Sequence, residues 1–217
     1  IPFAAQAQKE VRTYYSNVPK RPVEEIYFVA NEDNEKMIGK YQRFYENGTV
    51  MVDGNFDDGK KSGVFIEYHE NGKPSRKLTY INGLRHGAVE VFDEDGNPVQ
   101  KAYYQNDILT DSIRLYFASG IVRGETNFVK GKPEGLVKEY YPNSKIHTII
   151  DDKGAKTIYT YDVNWRVLNI YAEAGEDKSY EYDAAGNIIK EIDELGNCYQ
   201  YTYDDRGKVT SVTDPLN

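Results

Sequence analysis

Short stretches rich in β-branched and aromatic residues run through nearly the whole chain, each broken by Gly, Pro, Asn or Asp. Val23–Val29 (VEEIYFV), Thr49–Val52 and Val64–Tyr68 are of this kind, and each reads as a strand bounded by turns. The breaks are periodic. Gly39, Gly63, Gly87 and Gly135 lie on a 24-residue grid whose vacant slot holds Asp111. Aromatic columns keep the same step at Phe44, Tyr68, Phe92, Tyr116 and Tyr140, and at Phe56, Tyr80, Tyr104 and Phe128. So do the turn pairs Asn47-Gly48, Asn71-Gly72, Asp95-Gly96, Ser119-Gly120 and the degenerate Asn143-Ser144, and the turn column Gly59, Gly83, Asp107 and Gly131.

One 24-residue unit is therefore two strands and two turns. Asn-Gly and Asp-Gly are expected to supply positive φ at both central turn positions. A single hairpin cannot bury its apolar face, so the units are expected to stack edge to edge. Near Tyr140 the step becomes 21, in the columns Tyr140, Tyr161, Tyr182, Tyr203 and Tyr159, Tyr180, Tyr201. Asp162, Asp183 and Asp204 follow, as do Gly154, Gly175 and Gly196. Trp165 stands where the corresponding turns have glycine, which predicts a different turn there, and Asp111 predicts an irregular unit.

Composition fits this reading. Tyrosine occurs 20 times, and Gly and Pro 18 and 8 times, as turn-rich β structure requires. The expected fold is all-β: an elongated antiparallel array of hairpins forming a single curved, twisted sheet, not a closed barrel. It would hold about 14 to 18 strands and run on the order of 70–85 Å at about 4.8 Å per strand. Residues 1–8 resemble the tail of a signal peptide, with Ala5-Gln6-Ala7 as a small-x-small cleavage pattern. Residues 9–38 form a lead-in or cap, 39–144 carry the 24-residue repeats, and 145–217 carry the 21-residue repeats on the same sheet. The acidic run Asn31–Glu35 reads as a solvated loop.

A net charge of −8 argues against duplex nucleic acid and against an anionic membrane surface. No apolar run approaches the roughly 18 residues of a spanning helix. Cys198 is the single cysteine, which excludes an internal disulfide and a multi-cysteine metal site.

With those motifs in hand, residues 39–144 resemble bacterial MORN-variant repeats, in units of the form Gly63-x4-Tyr68-x3-Gly72 followed by Tyr80-x2-Gly83-x3-Gly87. Residues 154–217 resemble the YD repeats of Rhs-type and teneurin-type surface proteins, most closely from Tyr180-Glu181-Tyr182-Asp183 to Gly196-Asn197. The first resemblance implies an antitoxin-like role, the second a bacterial surface protein. Full Rhs proteins build a large shell, which these few units cannot enclose.

No catalytic constellation, cofactor site or metal site is read from the chain. His69 and His86 fall at variable repeat positions and read as exposed strand or turn residues, and Cys198 as a small strand residue. Gly54 to Lys61 mimics a phosphate loop but lacks its Ser/Thr and a following helix. Asp93, Asp95 and Asn97 start like a calcium loop, yet the twelfth position is Tyr104. The candidate ligand-binding residues are Tyr159, Tyr161, Tyr180, Tyr182, Tyr201 and Tyr203. As i, i+2 pairs they would share one face of the sheet in two ladders. These rings either pack or form a platform for sugar faces. The expected function is a non-catalytic, exported scaffold of the periplasm or cell surface that binds a protein partner. The alternatives are a glycan-binding module and an antitoxin or immunity-like protein.

Overall fold

In the computed structural model of the protein, residues 8–17, 19–30 and 33–216 are described. Most of the signal-like segment, residues 1–7, and two residues of the acidic run, 31 and 32, lie outside them. The chain divides into two compact units, Ile1–Val122 with Asn127–Pro133, and Arg123–Thr126 with Glu134–Asn217. No helix of the described residues is long and apolar enough to cross a membrane.

The first unit holds β1 (Gln8–Tyr14), β2 (Val23–Ala30), β3 (Asp33–Phe44), β4 (Val50–Asp57), β5 (Lys60–Tyr68), β6 (Pro74–Ile81), β7 (Leu84–Arg85), β8 (Gly87–Phe92), β9 (Pro98–Gln105) and β10 (Ile108–Tyr116). Strands β11 (Val122–Val129) and β12 (Lys132–Tyr140) follow. The second unit continues with β13 (Ile146–Ile150), β14 (Lys156–Tyr161), β15 (Val167–Ala172), β16 (Lys178–Tyr182), β17 (Ile188–Ile192), β18 (Cys198–Tyr203) and β19 (Val209–Thr213). Pairing is antiparallel between sequence neighbours throughout each unit, with β7 and β8 both on β6. Each unit is thus an open meander of hairpins, and no registered pairing closes either into a barrel among the described residues. The strands outnumber the sequence expectation because the lead-in contributes β1 and β2 and because a bulge splits β7 from β8. The acidic run is not all loop, since β3 already begins at Asp33.

Two turn types alternate in the first unit, and only one matches the expectation of paired positive φ. Asp58-Gly59, Asn82-Gly83, Asn106-Asp107 and Lys130-Gly131 have both residues at positive φ, the two-residue turn whose twist suits a hairpin. At the other column only the glycine is positive, for example Gly48 at 85° and Gly72 at 82°. There the N–H of Gly48 donates to Tyr45 O and the N–H of Tyr45 to Thr49 O, at 2.9 and 2.8 Å. This is a three-residue loop closed by a left-handed residue, and it leaves a bulge at the aromatic before it, between Arg43 and Phe44 or Glu67 and Tyr68. Asn47 and Asn71 serve it through their side chains, each accepting the N–H two residues on at 2.8 and 2.9 Å.

The first unit's core follows a second bulge on the grid glycines. Gly54 faces Gly63–Phe65, Leu78 faces Gly87–Val89, and Ala102 faces Asp111–Ile113. Phe65, Leu78, Val89, Ala102 and Ser112 are buried. Volume is traded across the bulge: the ring of Phe65 lies where a Cβ on Gly54 would meet it at 2.5 Å. Tyr41, Phe56, Phe65 and Tyr80 extend this core edge-to-face, with centroids 5.4, 5.7 and 5.2 Å apart. Asp111 keeps the grid, with φ of 68° against 75° at Gly63, so the irregular unit predicted there keeps its backbone.

Candidate binding surface

The second unit has no fully buried apolar side chain among its described residues, so its half-buried tyrosines decide what its surface offers. Tyr159, Tyr161, Tyr180, Tyr182, Tyr201 and Tyr203 are all half-buried. Within each pair the two rings have different work. The second hydroxyl donates to a backbone carbonyl fifteen residues back: Tyr161 to Ile146 O at 2.8 Å, Tyr182 to Val167 O at 2.7 Å and Tyr203 to Ile188 O at 2.6 Å. Each acceptor begins a strand after the preceding turn, so these bonds tie one hairpin to the next. Burial pushes the phenols of Tyr161 and Tyr182 up, keeping them protonated donors. The first tyrosines have no such backbone acceptor among the described residues, and Tyr201 reaches Glu191 Oε2 at 3.4 Å. Tyr201 lines a shallow cleft of about 460 Å³ with Glu181, Lys190, Gln200 and Thr202.

The aspartate columns are turn locks. Oδ1 of Asp183 accepts the N–H of Asn187 at 2.8 Å while Oδ2 takes its amide at 2.9 Å, and Asp193 holds Asn197 in the same way. Oδ1 of Asp204 accepts the N–H groups of Arg206 and Lys208, both at 2.9 Å. These bonds hold the carboxyls of Asp183 and Asp193 below the ordinary range, the Asn side-chain amide contributing most. Asp93, the start of the calcium-like stretch, spends its oxygens on Asp95 and Asn97 in the first unit. Gly59 of the phosphate-loop mimic sits in a paired-positive turn, and Gly54 makes room for Phe65.

Trp165 corrects the sequence reading. Its φ is 60°, and its N–H donates to Asp162 O at 3.0 Å, the bond that Gly186 makes to Asp183 O at 3.1 Å. The turn is the same; a tryptophan has been forced into the glycine conformation. Its ring centroid lies 6.2 Å from those of Tyr141 and Tyr161, which are 6.0 Å from each other. His147 meets Tyr141 edge-on at 4.7 Å, with Nδ1 2.7 Å from Thr148 Oγ1. Beside this cluster, Arg166 is held by Asp162 at 2.6 Å and lies over the Tyr182 ring at 4.4 Å.

Sequence reasoning missed a further set of rungs, in which Tyr45 and His69 stand one residue after the 24-step aromatics and Tyr15 precedes the grid. Tyr15 Oη donates to Phe44 O at 2.7 Å, Tyr45 Oη to Tyr68 O at 2.6 Å, and His69 Nε2 lies 3.1 Å from Phe92 O. His69 is therefore a rung between units, half-buried, rather than an exposed residue. Its signal was available in the spacing from Tyr45. Cys198 opens β18 and is half-buried.

Comparison with known proteins bears on the repeats themselves. The MORN repeat variant family matches residues 37–58, 61–82, 85–106 and 133–151, and the RHS repeat family matches 182–217. No curated protein matches the chain. Similar solved structures include TcdB2-TccC3-Cdc42, at 14% identity over 97% of this chain and 12% of that chain, with a TM-score of 0.37. Another is TcdB2-TccC3 without its hypervariable C-terminal region, at 12% identity over 95% and 13% of the two chains, with a TM-score of 0.40. A third is the Photorhabdus luminescens Tc holotoxin pore, at 13% identity over 97% and 14%, with a TM-score of 0.30. The chain spans between 12% and 14% of the length of these chains, and likenesses of this order bear on neither activity nor partner. The unmatched stretch between 106 and 133 contains Asp111, where the grid glycine is lost and the backbone is kept. The chain is a run of MORN-variant repeats followed by an RHS repeat, in the order its two spacings predict.

Proposed function

We propose that the chain acts by binding rather than by catalysis, as a repeat scaffold that holds a protein partner outside the cell or at its envelope. One observation carries this reading. The second tyrosine and the aspartate that recur from unit to unit are consumed by the scaffold, as Tyr182 is by Val167 O and Asp183 by its own turn. What differs between units stands at the turn tips. Val163 is 92% exposed and Leu195 is 82% exposed, in slots where other units have Ala184 or Ala174. Repeat proteins of this kind present such variable positions to partners on an invariant frame. An immunity-like role is the form this takes if the partner is a toxic protein.

The test is capture from an envelope extract of the source cell by the chain and by a Val163→Ser/Leu195→Ser variant, with and without soluble glycans. Loss of a stoichiometric protein partner in the variant supports the reading, and equal capture refutes it. A second reading, glycan binding, draws on the first tyrosine of each pair, Tyr159, Tyr180 and Tyr201, half-buried rings whose hydroxyls tie no hairpin to the next. It predicts glycan-displaceable material and loss of binding in Tyr180→Ala, the first tyrosine of the middle pair. Full glycan binding by folded Tyr180→Ala would exclude the ladder as its site.

A further inference from the structure

We propose that Trp165, with Tyr141 and Tyr161 beside it, receives an arginine side chain from a basic segment of a protein partner. The inference rests on the protein-binding reading above and assigns it a site. In the 21-residue repeat, the slot of Trp165 is filled by Gly186 and Gly207, and that of Tyr141 by Asp162, Asp183 and Asp204. The two changes fall in successive rows, since the Trp165 slot of the Tyr141 row holds Ser144, and they bring the two rings to 6.2 Å between centroids. The turn itself gains nothing from the exchange. Its closing bond is 3.0 Å with tryptophan and 3.1 and 2.9 Å with glycine at 186 and 207, while a φ of 60° is unfavourable for a bulky residue. What the exchange adds is an indole that remains 47% exposed, beside Val163 at 92%.

Charge selects the occupant. The second unit contains 10 Lys and Arg against 17 Asp and Glu, and so carries most of the net −8, whereas the first has 17 against 18. A partner drawn to this unit presents basic side chains, and an indole face is the strongest cation acceptor among the aromatic residues. The repeats already use this contact internally: Arg85 lies 4.2 Å from the Tyr104 centroid and Arg166 4.4 Å from that of Tyr182. Among the described residues no cation lies over Trp165.

Trp165 is the single tryptophan, so its emission reports this site alone. The experiment titrates the chain with hexa-arginine, with hexa-citrulline as the neutral isostere, and with chitohexaose, at about 0.15 M salt so that long-range attraction is screened. The expected result is saturable quenching by hexa-arginine and none by the other two. In anisotropy with labelled hexa-arginine, Trp165→Gly should weaken binding roughly two- to fivefold, the range of an exposed cation–π contact, and Trp165→Phe by less. Far-UV circular dichroism confirms that each variant is folded, and Trp165→Phe keeps the test valid if the glycine variant is not. Equal affinity of both variants and the original chain overturns the proposal, as does quenching by chitohexaose instead. The two proposals fail separately. Peptide binding at Trp165 without any partner in the extract sinks the scaffold reading, whereas a partner held equally by Trp165→Gly sinks this site alone.

Discussion

Gly54 and Phe65 should behave as one packing unit. A Cβ on Gly54 would meet the Cδ1 and Cε1 atoms of Phe65 at 2.5 Å, and the ring is only 2% exposed, so it has nowhere to swing. Gly54 is not at positive φ, so a side chain there brings crowding without backbone strain. Overpacking of this kind costs about 1–3 kcal/mol, and Gly54→Leu should lie at or above the top of that range. Phe65→Val leaves a cavity instead, at about 2–4 kcal/mol. The next repeat shows the remedy, because Leu78 faces Val89 in the corresponding bulge and both are buried. Combining Gly54→Leu with Phe65→Val rebuilds that pair, and the double variant should be more stable than the sum of the singles predicts by about 2 kcal/mol or more. Urea unfolding followed by far-UV circular dichroism measures this, with Trp165 emission reporting the second unit on its own. Additivity within about 0.5 kcal/mol would refute the volume exchange.

Two further outcomes follow from the tyrosine bonds and the turn aspartates. Removing the hydroxyl in Tyr182→Phe loses the 2.7 Å bond to Val167 O and should cost about 0.5–1.5 kcal/mol in urea unfolding, whereas Tyr180→Phe, whose hydroxyl has no bonded partner among the described residues, should cost close to nothing. Acid should unlock the turns. The carboxyls of Asp93, Asp162, Asp183 and Asp193 are depressed in the folded chain, chiefly by Asn97, Arg166, Asn187 and Asn197 respectively. Their contribution is full above the unfolded Asp value of about 3.9 and is lost as pH falls through the lower folded values. The urea midpoint should therefore hold down to about pH 5 and drop below about pH 4, and less steeply in Asp183→Asn, which keeps an acceptor but takes up no proton. A midpoint that does not change across that range would contradict the turn-lock role.

Most of this architecture is legible because a repeat presents the same physical problem many times. Tyr161, Tyr182 and Tyr203 fall 21 residues apart, and each ends against a carbonyl that is itself displaced by 21, so a spacing alone locates the column. The destination of the hydroxyl was not legible. Alternation places the two tyrosines of a pair on one face, but the bulge between Glu181 and Tyr182 separates their roles, and a bulge is decided by the turn that follows it. His69 escaped for a related reason: its equivalence to Tyr45 is one of position, and a tyrosine and a histidine share only the ability to reach a carbonyl.

Residue identity misled where position did not. Glycine at the grid and turn slots suggests that the chain needs glycine there, so Asp111 and Trp165 looked like breaks. At 68° and 60° both occupy the left-handed region that their glycine counterparts adopt. Aspartate reaches it at little cost, since its short polar side chain tolerates that conformation. Tryptophan does not, at about 1–2 kcal/mol, so a compensating interaction has to come from outside the turn. Contact with Tyr141 and Tyr161 supplies part of it, yet 47% of the residue stays in water. A substitution that keeps the backbone of a repeat while adding an exposed ring is costly if its purpose is folding alone. The two lost glycines therefore differ in kind: Asp111 is a tolerated variant of the scaffold, and Trp165 is a feature added to it.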